Sequence, residues 1–155
     1  MWGQQLKEYL DREDVKYVTI QHSPAYTAQE IAASAHISGK EMAKTVIVKL
    51  DGTMAMAVLP ASRRVALDLL AETVGARDVE LAEEAEFAYL FPGCERGAMP
   101  PFGNLYGLDV YVAEALAEDE EIAFNAGSFT ELIRMAYRDF ERLVRPKVLA
   151  FTATR

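Results

Sequence analysis

Cysteine and histidine, the side chains that most often build disulfides and metal sites, are nearly absent from this chain. Its 155 residues contain one cysteine, Cys94, and two histidines, His22 and His36. One cysteine cannot form an intramolecular disulfide, and the three side chains do not have metal-ligand spacing. The sequence therefore excludes a disulfide scaffold and predicts no structural zinc site.

Long apolar runs are also missing, although 51% of the residues are hydrophobic. Runs such as 46–48 and 54–59 fall far short of the roughly 20 residues that a membrane helix needs. The first residues, MWGQQLKEYLDRED, lack the basic and then apolar pattern of a signal peptide. We therefore expect one globular domain with a sizeable core, located in the cytoplasm and without a membrane partner.

Positive charge is scarce, since 16 lysines and arginines stand against 24 acidic residues and the formal net charge is -8. A protein that binds nucleic acid by broad neutralisation of phosphates needs a basic surface. The composition argues against that class. A local basic site remains compatible with it, because Lys40, Lys44, Arg63 and Arg64 lie outside the most acidic segments.

Sequence signatures of protein nucleophiles are absent as well. The chain has no G-x-S-x-G motif, which disfavours a serine hydrolase. Cys94 has no histidine or basic partner in a recognisable pattern, and a reactive thiolate needs one. We therefore expect neither a serine nor a cysteine nucleophile.

Strand and helix patterns are mixed along the chain. KTVIVKL and TMAMAVL, joined by Asp51-Gly52, predict an antiparallel hairpin at 44–59 with a type I′ turn. Further strands are predicted at 16–20, 105–113, 121–127 and 147–151, and helices at 4–13, 27–37, 63–74, 80–88 and 137–144. Residues 130–136 are predicted as a strand, although their leucine, isoleucine and methionine would equally suit a helix. The pattern predicts an α/β or α+β domain, with a mixed, mainly antiparallel sheet and surrounding helices.

Lys44 stands out on the first strand of the predicted hairpin. Because side chains alternate along a strand, Lys44 shares a face with Val46, Val48 and Leu50. One interpretation is a lysine at the edge of the face, whose ammonium reaches water along its aliphatic stem. The other is a lysine directed into a pocket, where it binds an anionic or carbonyl oxygen. The pattern by itself leaves both interpretations open.

The segment RGAMPPFG (96–103) combines two glycines with two adjacent prolines, so it is neither a helix nor an inner strand. It is either a plain connection or a rigid loop whose amides, from Gly97 to Pro101, face a ligand oxygen. The turn NAGS (125–128) and His22 are weaker candidates, and both also have a purely structural interpretation.

Four segments, taken in order, resemble the YbaK family, the editing domains associated with prolyl-tRNA synthetase. They are HSPAYTAQEIA (22–32), KTVIVKLDGTMAMAVLPASRRV (44–65), GAMPPFG (97–103) and FNAGS (124–128). Their order and spacing are more specific than any single segment. The resemblance implies a YbaK-like fold over residues 1–155 and a free-standing deacylase for mischarged aminoacyl-tRNA that carries a small amino acid. It implies neither a metal nor an organic cofactor.

The resemblance also implies roles for individual residues. Lys44 matches the family's functional lysine, and Gly97 with Pro101 matches its GxxxP loop, so these three are the predicted catalytic residues. The predicted substrate-binding residues are His22, Phe102, Gly103, Gly127, Ser128 and Phe129. Water, or a hydroxyl or thiol of the substrate, would attack an ester held in place by the protein. The implied partners are the acceptor end of aminoacyl-tRNA and a synthetase or other protein that delivers it.

Phe129 departs from the family pattern, because many relatives have a histidine after the matching turn. Phenylalanine removes a hydrogen-bond donor and a proton carrier, so the pocket either admits a different side chain or reacts more slowly. The negative charge and Phe129 together favour an alternative from another class. In that alternative the chain is a catalytically weak module that binds a protein or a small ligand.

Overall fold

The computed structural model describes residues 2–21, 38–95, 98–128 and 130–154. Within these ranges the helices are α1 Trp2–Arg12, α2 Leu67–Val74, α3 Glu84–Phe87, α4 Glu114–Ala117 and α5 Tyr137–Val144. Short 3-10 turns cover Ala88–Leu90 and Gly103–Leu105. In the same part of the chain, no helix is long and apolar enough to cross a membrane.

The strands of the described ranges form three sheets. They are β1 Tyr17–Gln21, β2 Ala43–Leu50, β3 Thr53–Pro60, β4 Arg63–Val65, β5 Val79–Leu81, β6 Val110–Ala113, β7 Glu121–Asn125, β8 Glu131–Ala136, β9 Lys147–Leu149 and β10 Thr152–Thr154. The largest sheet has the order β5-β2-β3-β6-β9, the second β1-β8-β7, and β4 pairs with β10. Only the β3–β6 and β6–β9 pairs are parallel, which confirms the predicted mixed, mainly antiparallel α+β architecture.

The β2–β3 hairpin is the centre of the largest sheet. Asp51 and Gly52 have φ angles of 50° and 87°, as the predicted type I′ turn requires. The carboxylate of Asp51 accepts hydrogen bonds from the backbone N–H groups of Arg77 (3.0 Å) and Asp78 (2.8 Å). The turn is therefore anchored to the segment that leads into β5.

The two faces of the largest sheet are both covered. One face packs with the three-stranded sheet, α1 and α5 in a large core that includes Ile47, Met56 and Val112. The other face packs with α2 and the segment before β10, through Val48, Leu59 and other apolar side chains. Because both faces are buried, β3 and β6 consist mostly of apolar residues.

Several predicted elements need correction. Residues 63–65 were predicted as helix but form β4, and residues 80–81 were predicted as helix but belong to β5. Strand β6 begins at Val110, later than predicted. The predicted strand at 147–151 is β9 alone, while β10 and α4 were missed. Three-residue strands depend on distant partners, so a local pattern does not reveal them. The predicted helix at 27–37 lies outside the described residues.

Asp119, in the turn before β7, is a buried carboxylate with little compensation. Its side chain is 6% exposed, Oδ1 lies 3.8 Å from Lys40 Nζ, and Oδ2 has no hydrogen-bond partner in the described part of the chain. Burial raises the pKa of Asp119, and the charges of Glu41 and Glu118 raise it further, while Lys40 opposes the shift. The ionised form of Asp119 therefore destabilises the fold.

Asp119→Asn should raise the melting temperature at pH 7. Because the pKa is higher in the folded than in the unfolded state, the destabilisation is complete above the folded pKa. It disappears as the pH falls below the unfolded value of about 3.9. The stability difference between the variant and the unchanged chain should therefore shrink toward acid pH in thermal melts. Glu120→Gln, an exposed neighbour, is the control, and a lower melting temperature for Asp119→Asn at pH 7 would show that the buried charge does not destabilise the fold.

Candidate functional site

Lys44 lies on the face of β2 that the alternation predicted. Its neighbours on that face, Val46, Val48 and Leu50, pack in the second core, and Leu59 of β3 lies opposite Lys44. The lysine is half-buried and lines a cavity of about 310 Å³. The other lining residues are Val46, Arg64, Val65, Leu67 and Leu81. Lys44 therefore lies at a mainly apolar cavity, and Arg64 is the other cation among its lining residues.

The backbone of β2 changes partner beside Lys44. Met42 O accepts a hydrogen bond from Ala61 N–H (2.7 Å). Because backbone hydrogen bonds alternate sides along a strand, the even-numbered residues of β2 bond to β3, and the odd-numbered residues direct their backbone groups to the opposite edge. On that opposite edge, Glu41 O accepts from Ala123 N–H (3.1 Å) and Ile47 O from Ala82 N–H (2.9 Å). Thr45 lies between these two contacts, in a gap between the sheets.

The Gly/Pro loop reaches this gap. Met99 and Thr45 line the same apolar cavity of about 240 Å³, together with Val46, Ile47, Leu81, Ala82, Glu84 and Phe87. Val46 and Leu81 also line the cavity of Lys44, so the two cavities adjoin. The fold therefore brings the strand of Lys44 and the loop that contains Pro101 to one place, although about fifty residues separate them in sequence.

The loop is bonded to the turn FNAGS, which was predicted independently. Gly127 N–H donates to Ala98 O (3.1 Å), and Glu95 N–H donates to Gly127 O (2.9 Å). Gly127 has a φ of 93°, a conformation that disfavours any residue with a side chain. Ser128 lies in the same turn, where its hydroxyl accepts from Thr130 N–H (3.4 Å). Gly127 therefore fixes the start of the loop.

Phe102 and Gly103 lie inside the protein. The ring of Phe102 is fully buried, with centroid distances of 6.2 Å to Tyr9, 5.5 Å to Phe124 and 5.4 Å to Phe140. A methyl group on Gly103 would lie 2.6 Å from Val110 Cγ2, so only glycine fits there. Their described contacts are structural. The prediction that these two residues contact the substrate directly stays a prediction. Both residues are buried, so neither exposes a side chain to the solvent.

The remaining predicted site residues divide into two groups. Pro101 is described and buried, as are all residues from 98 to 103. His22, Gly97 and Phe129 lie outside the described residues, so their predicted roles stay predictions.

Arg64 was not predicted as a site residue. The only local signal for it was the arginine pair in SRRV, which does not indicate which cation lines the cavity of Lys44.

Cys94 has the properties of a structural thiol. Burial raises its pKa to about 11, and the contact with Tyr106 offsets only part of that shift. The thiol is therefore protonated near neutral pH, whereas a nucleophilic cysteine needs the thiolate. This is consistent with the absence of a cysteine signature in the sequence.

Comparison with solved structures supports the fold. A protein described only as hypothetical superposes with a TM-score of 0.84 at 22% identity, covering 96% of this chain and 99% of that one. A protein described as a candidate trans-editing enzyme for prolyl-tRNA synthetase superposes with a TM-score of 0.81 at 20% identity, covering 97% and 96%. At these identities the two likenesses establish the architecture.

Sequence comparison identifies the family. The multifunctional Ser/Thr-tRNA deacylase ProXp-y of Escherichia coli K12 is 28% identical over 156 aligned positions, covering 97% of this chain and 93% of that protein. The model of the aminoacyl-tRNA editing domain matches residues 22–143, which contain both the strand of Lys44 and the Gly/Pro loop. The chain therefore belongs to the aminoacyl-tRNA editing domain family, which confirms deacylation of mischarged aminoacyl-tRNA as its class of activity.

Proposed function

We propose that this protein acts in trans on tRNA that carries a small amino acid, with serine and threonine as the first candidates. The observation that supports this most strongly is the junction of the 98–103 loop, the Gly127 turn and the strand of Lys44. The name of the Escherichia coli relative supports the choice of amino acids. Residues 1–155 would act together as one editing domain.

The proposed mechanism uses no protein nucleophile. Water adds to the ester carbonyl, the bond between that carbon and the ribose oxygen breaks, and the ribose oxygen leaves with a proton as a hydroxyl. The ammonium of Lys44 and the N–H groups of Gly97 and Met99 would stabilise the negative charge that develops on the carbonyl oxygen. Ala98 N–H donates instead to Glu95 O (3.0 Å), and the two prolines have no N–H. Where a hydroxyl or thiol of the aminoacyl group attacks in place of water, the ribose hydroxyl leaves in the same way, and the product is a cyclic ester or thioester that water then opens. The protein would contribute by positioning the ester for attack and by stabilising the charge on its carbonyl oxygen.

The other predicted residues have supporting roles in this proposal. The amino-acid pocket would be lined or shaped by His22, Gly127, Ser128 and Phe129. Phe102 and Gly103 would support the loop from the protein interior. Phe129, in place of the histidine of many relatives, would favour a side chain that needs no hydrogen-bond donor at that point. Substrate selectivity would then depend on the size of the pocket and on Phe129.

The net charge of -8 bears on how tRNA reaches the site. An acidic protein gains little affinity from phosphates over a broad surface. We therefore propose that recognition is limited to the acceptor end, with a synthetase or another tRNA-binding protein delivering the rest. The cytoplasm, where aminoacyl-tRNA is made and used, is the proposed location.

A panel of mischarged tRNAs tests the proposal. The same tRNA body should be charged in turn with serine, threonine, alanine, cysteine and, as large controls, leucine and phenylalanine. We expect at least about tenfold faster hydrolysis of the small esters, since steric discrimination commonly gives factors of this order. Hydrolysis of none of these esters would favour the alternative of a binding module. A preference for leucine or phenylalanine would contradict the small pocket.

A further inference from the structure

Arg64 is the second cation in the cavity that Lys44 lines. We propose that Arg64 binds the 5′ phosphate of the terminal adenosine, the nucleotide whose ribose carries the ester. The inference rests on the proposed function, because it takes the ester to lie near Lys44. It adds a residue that binds the nucleic acid to those that act on the ester.

The charge of Arg64 is available for an anion. Its side chain is exposed, and it makes no ion pair or hydrogen bond within the described ranges. Several other cations in the described ranges are paired with carboxylates. Such pairs are Lys7–Glu131 (2.9 Å), Lys49–Glu80 (2.9 Å), Lys49–Glu86 (2.7 Å) and Arg134–Glu41 (3.2 Å). In an acidic protein, a cation left without a carboxylate marks a place where a phosphate would meet little repulsion.

The walls of the cavity suit a nucleoside. Apart from Lys44 and Arg64, the lining consists of Val46, Val65, Leu67 and Leu81. An apolar wall can receive the face of a base or ribose, while a guanidinium binds two phosphate oxygens at once. The combination of an apolar wall and two cations matches a nucleotide better than it matches a free amino acid.

The two groups that Lys44 and Arg64 would bind are attached to the same ribose of the substrate. The ester is on the 2′ or 3′ oxygen of the terminal ribose, and the phosphate is on the 5′ oxygen of the same ribose. Lys44 and Arg64 line the same cavity, so the proposal places the terminal ribose between them. With Lys44 at the ester and Arg64 at the phosphate, the ribose is held from both sides, and the phosphate contact contributes to the binding of the substrate.

The adjacent Arg63 provides a matched control. Its Nη1 donates to Thr152 Oγ1 (3.4 Å), and it lines a separate cavity with Glu114 and Glu118. Arg63→Gln and Arg64→Gln therefore change the net charge equally, at neighbouring positions of β4. Only the second variant removes a cation from the cavity of Lys44.

Binding of 5′-AMP and of adenosine provides the direct test, measured by calorimetry or NMR titration. The unchanged protein and Arg63→Gln should bind 5′-AMP about tenfold more tightly than adenosine, and Arg64→Gln should bind both equally. Equal binding of the two ligands by the unchanged protein, or equal effects of the two variants, would overturn the proposal. This readout does not require deacylation.

Kinetics on mischarged tRNA separates this proposal from the proposed function. Arg64→Gln should raise KM about tenfold with little change in kcat, and its log KM should depend less steeply on log salt, by roughly 0.7 to 1 in slope. If the unchanged protein hydrolyses the small esters and Arg64→Gln equals it in KM and slope, only the role of Arg64 fails. If the unchanged protein hydrolyses no ester but prefers 5′-AMP through Arg64, only the proposed function fails.

Discussion

Lys44→Ala should lower kcat/KM for deacylation by about 10²–10³-fold, the range seen when one group that stabilises an oxyanion is removed. Lys44 is half-buried at a cavity with apolar walls, where an ammonium acts more strongly on a carbonyl oxygen than it would in water. Alanine leaves the apolar core beneath it in place, so the melting temperature should change little. Single-turnover hydrolysis of the preferred ester and a thermal melt measure the two effects.

Lys49 provides the control for this substitution. It lies on the same strand but on the other face, where it pairs with Glu80 and Glu86. Lys49→Ala should therefore lower stability slightly and leave kcat unchanged. If Lys44→Ala has normal kinetics, or if both variants lose activity equally, Lys44 does not act on the ester. Lys44→Arg should recover only part of the activity, because the larger planar group replaces a compact charge.

Phe102→Ala should lower the free energy of unfolding by about 3–5 kcal/mol, the usual cost of removing a buried aromatic ring from a core. The ring is fully buried and joins the loop to α1, β7 and α5 through Tyr9, Phe124 and Phe140. Without it, the loop loses the contact that holds it from the inside. Urea denaturation followed by circular dichroism measures the loss.

Phe102→Leu separates this structural role from a contact with substrate. Leucine keeps much of the apolar volume, so the loss of stability should be well below that of the alanine variant. If Phe102 only supports the loop, KM for the leucine variant should stay close to normal at a temperature where the protein is folded. A large rise in KM without a loss of stability would instead assign Phe102 to substrate binding. An unchanged urea midpoint for Phe102→Ala would contradict the packing.

Elements with strong local patterns could be predicted from the sequence. The β2–β3 hairpin, the strand β7 and the helix α5 were predicted because each has its own turn signal or periodicity. The pattern of β8 suited a strand and a helix equally, and the structure decided for the strand. The face on which Lys44 lies follows from alternation alone once β2 is accepted. The family also follows from the sequence, because it depends on the order and spacing of short motifs.

Contacts between distant segments required the tertiary structure. The strands β4 and β5 were predicted as helix because three residues carry little pattern, and their partners are distant in sequence. The burial of Phe102 behind its loop was likewise hidden, since an aromatic residue beside two prolines suits a pocket or a core equally well.

The candidate site shows the same division. The resemblance, which depends on the order of short motifs, predicted that Lys44, the GxxxP loop and the FNAGS turn are its components, and strand alternation predicted the face on which Lys44 lies. Only the tertiary structure decided that Gly127 bonds to Ala98, that Met99 lies beside Thr45, and that Arg64 rather than Arg63 shares the cavity of Lys44. Such contacts depend on how sheets pack and strands pair across the whole chain, and this information is not contained in any short segment.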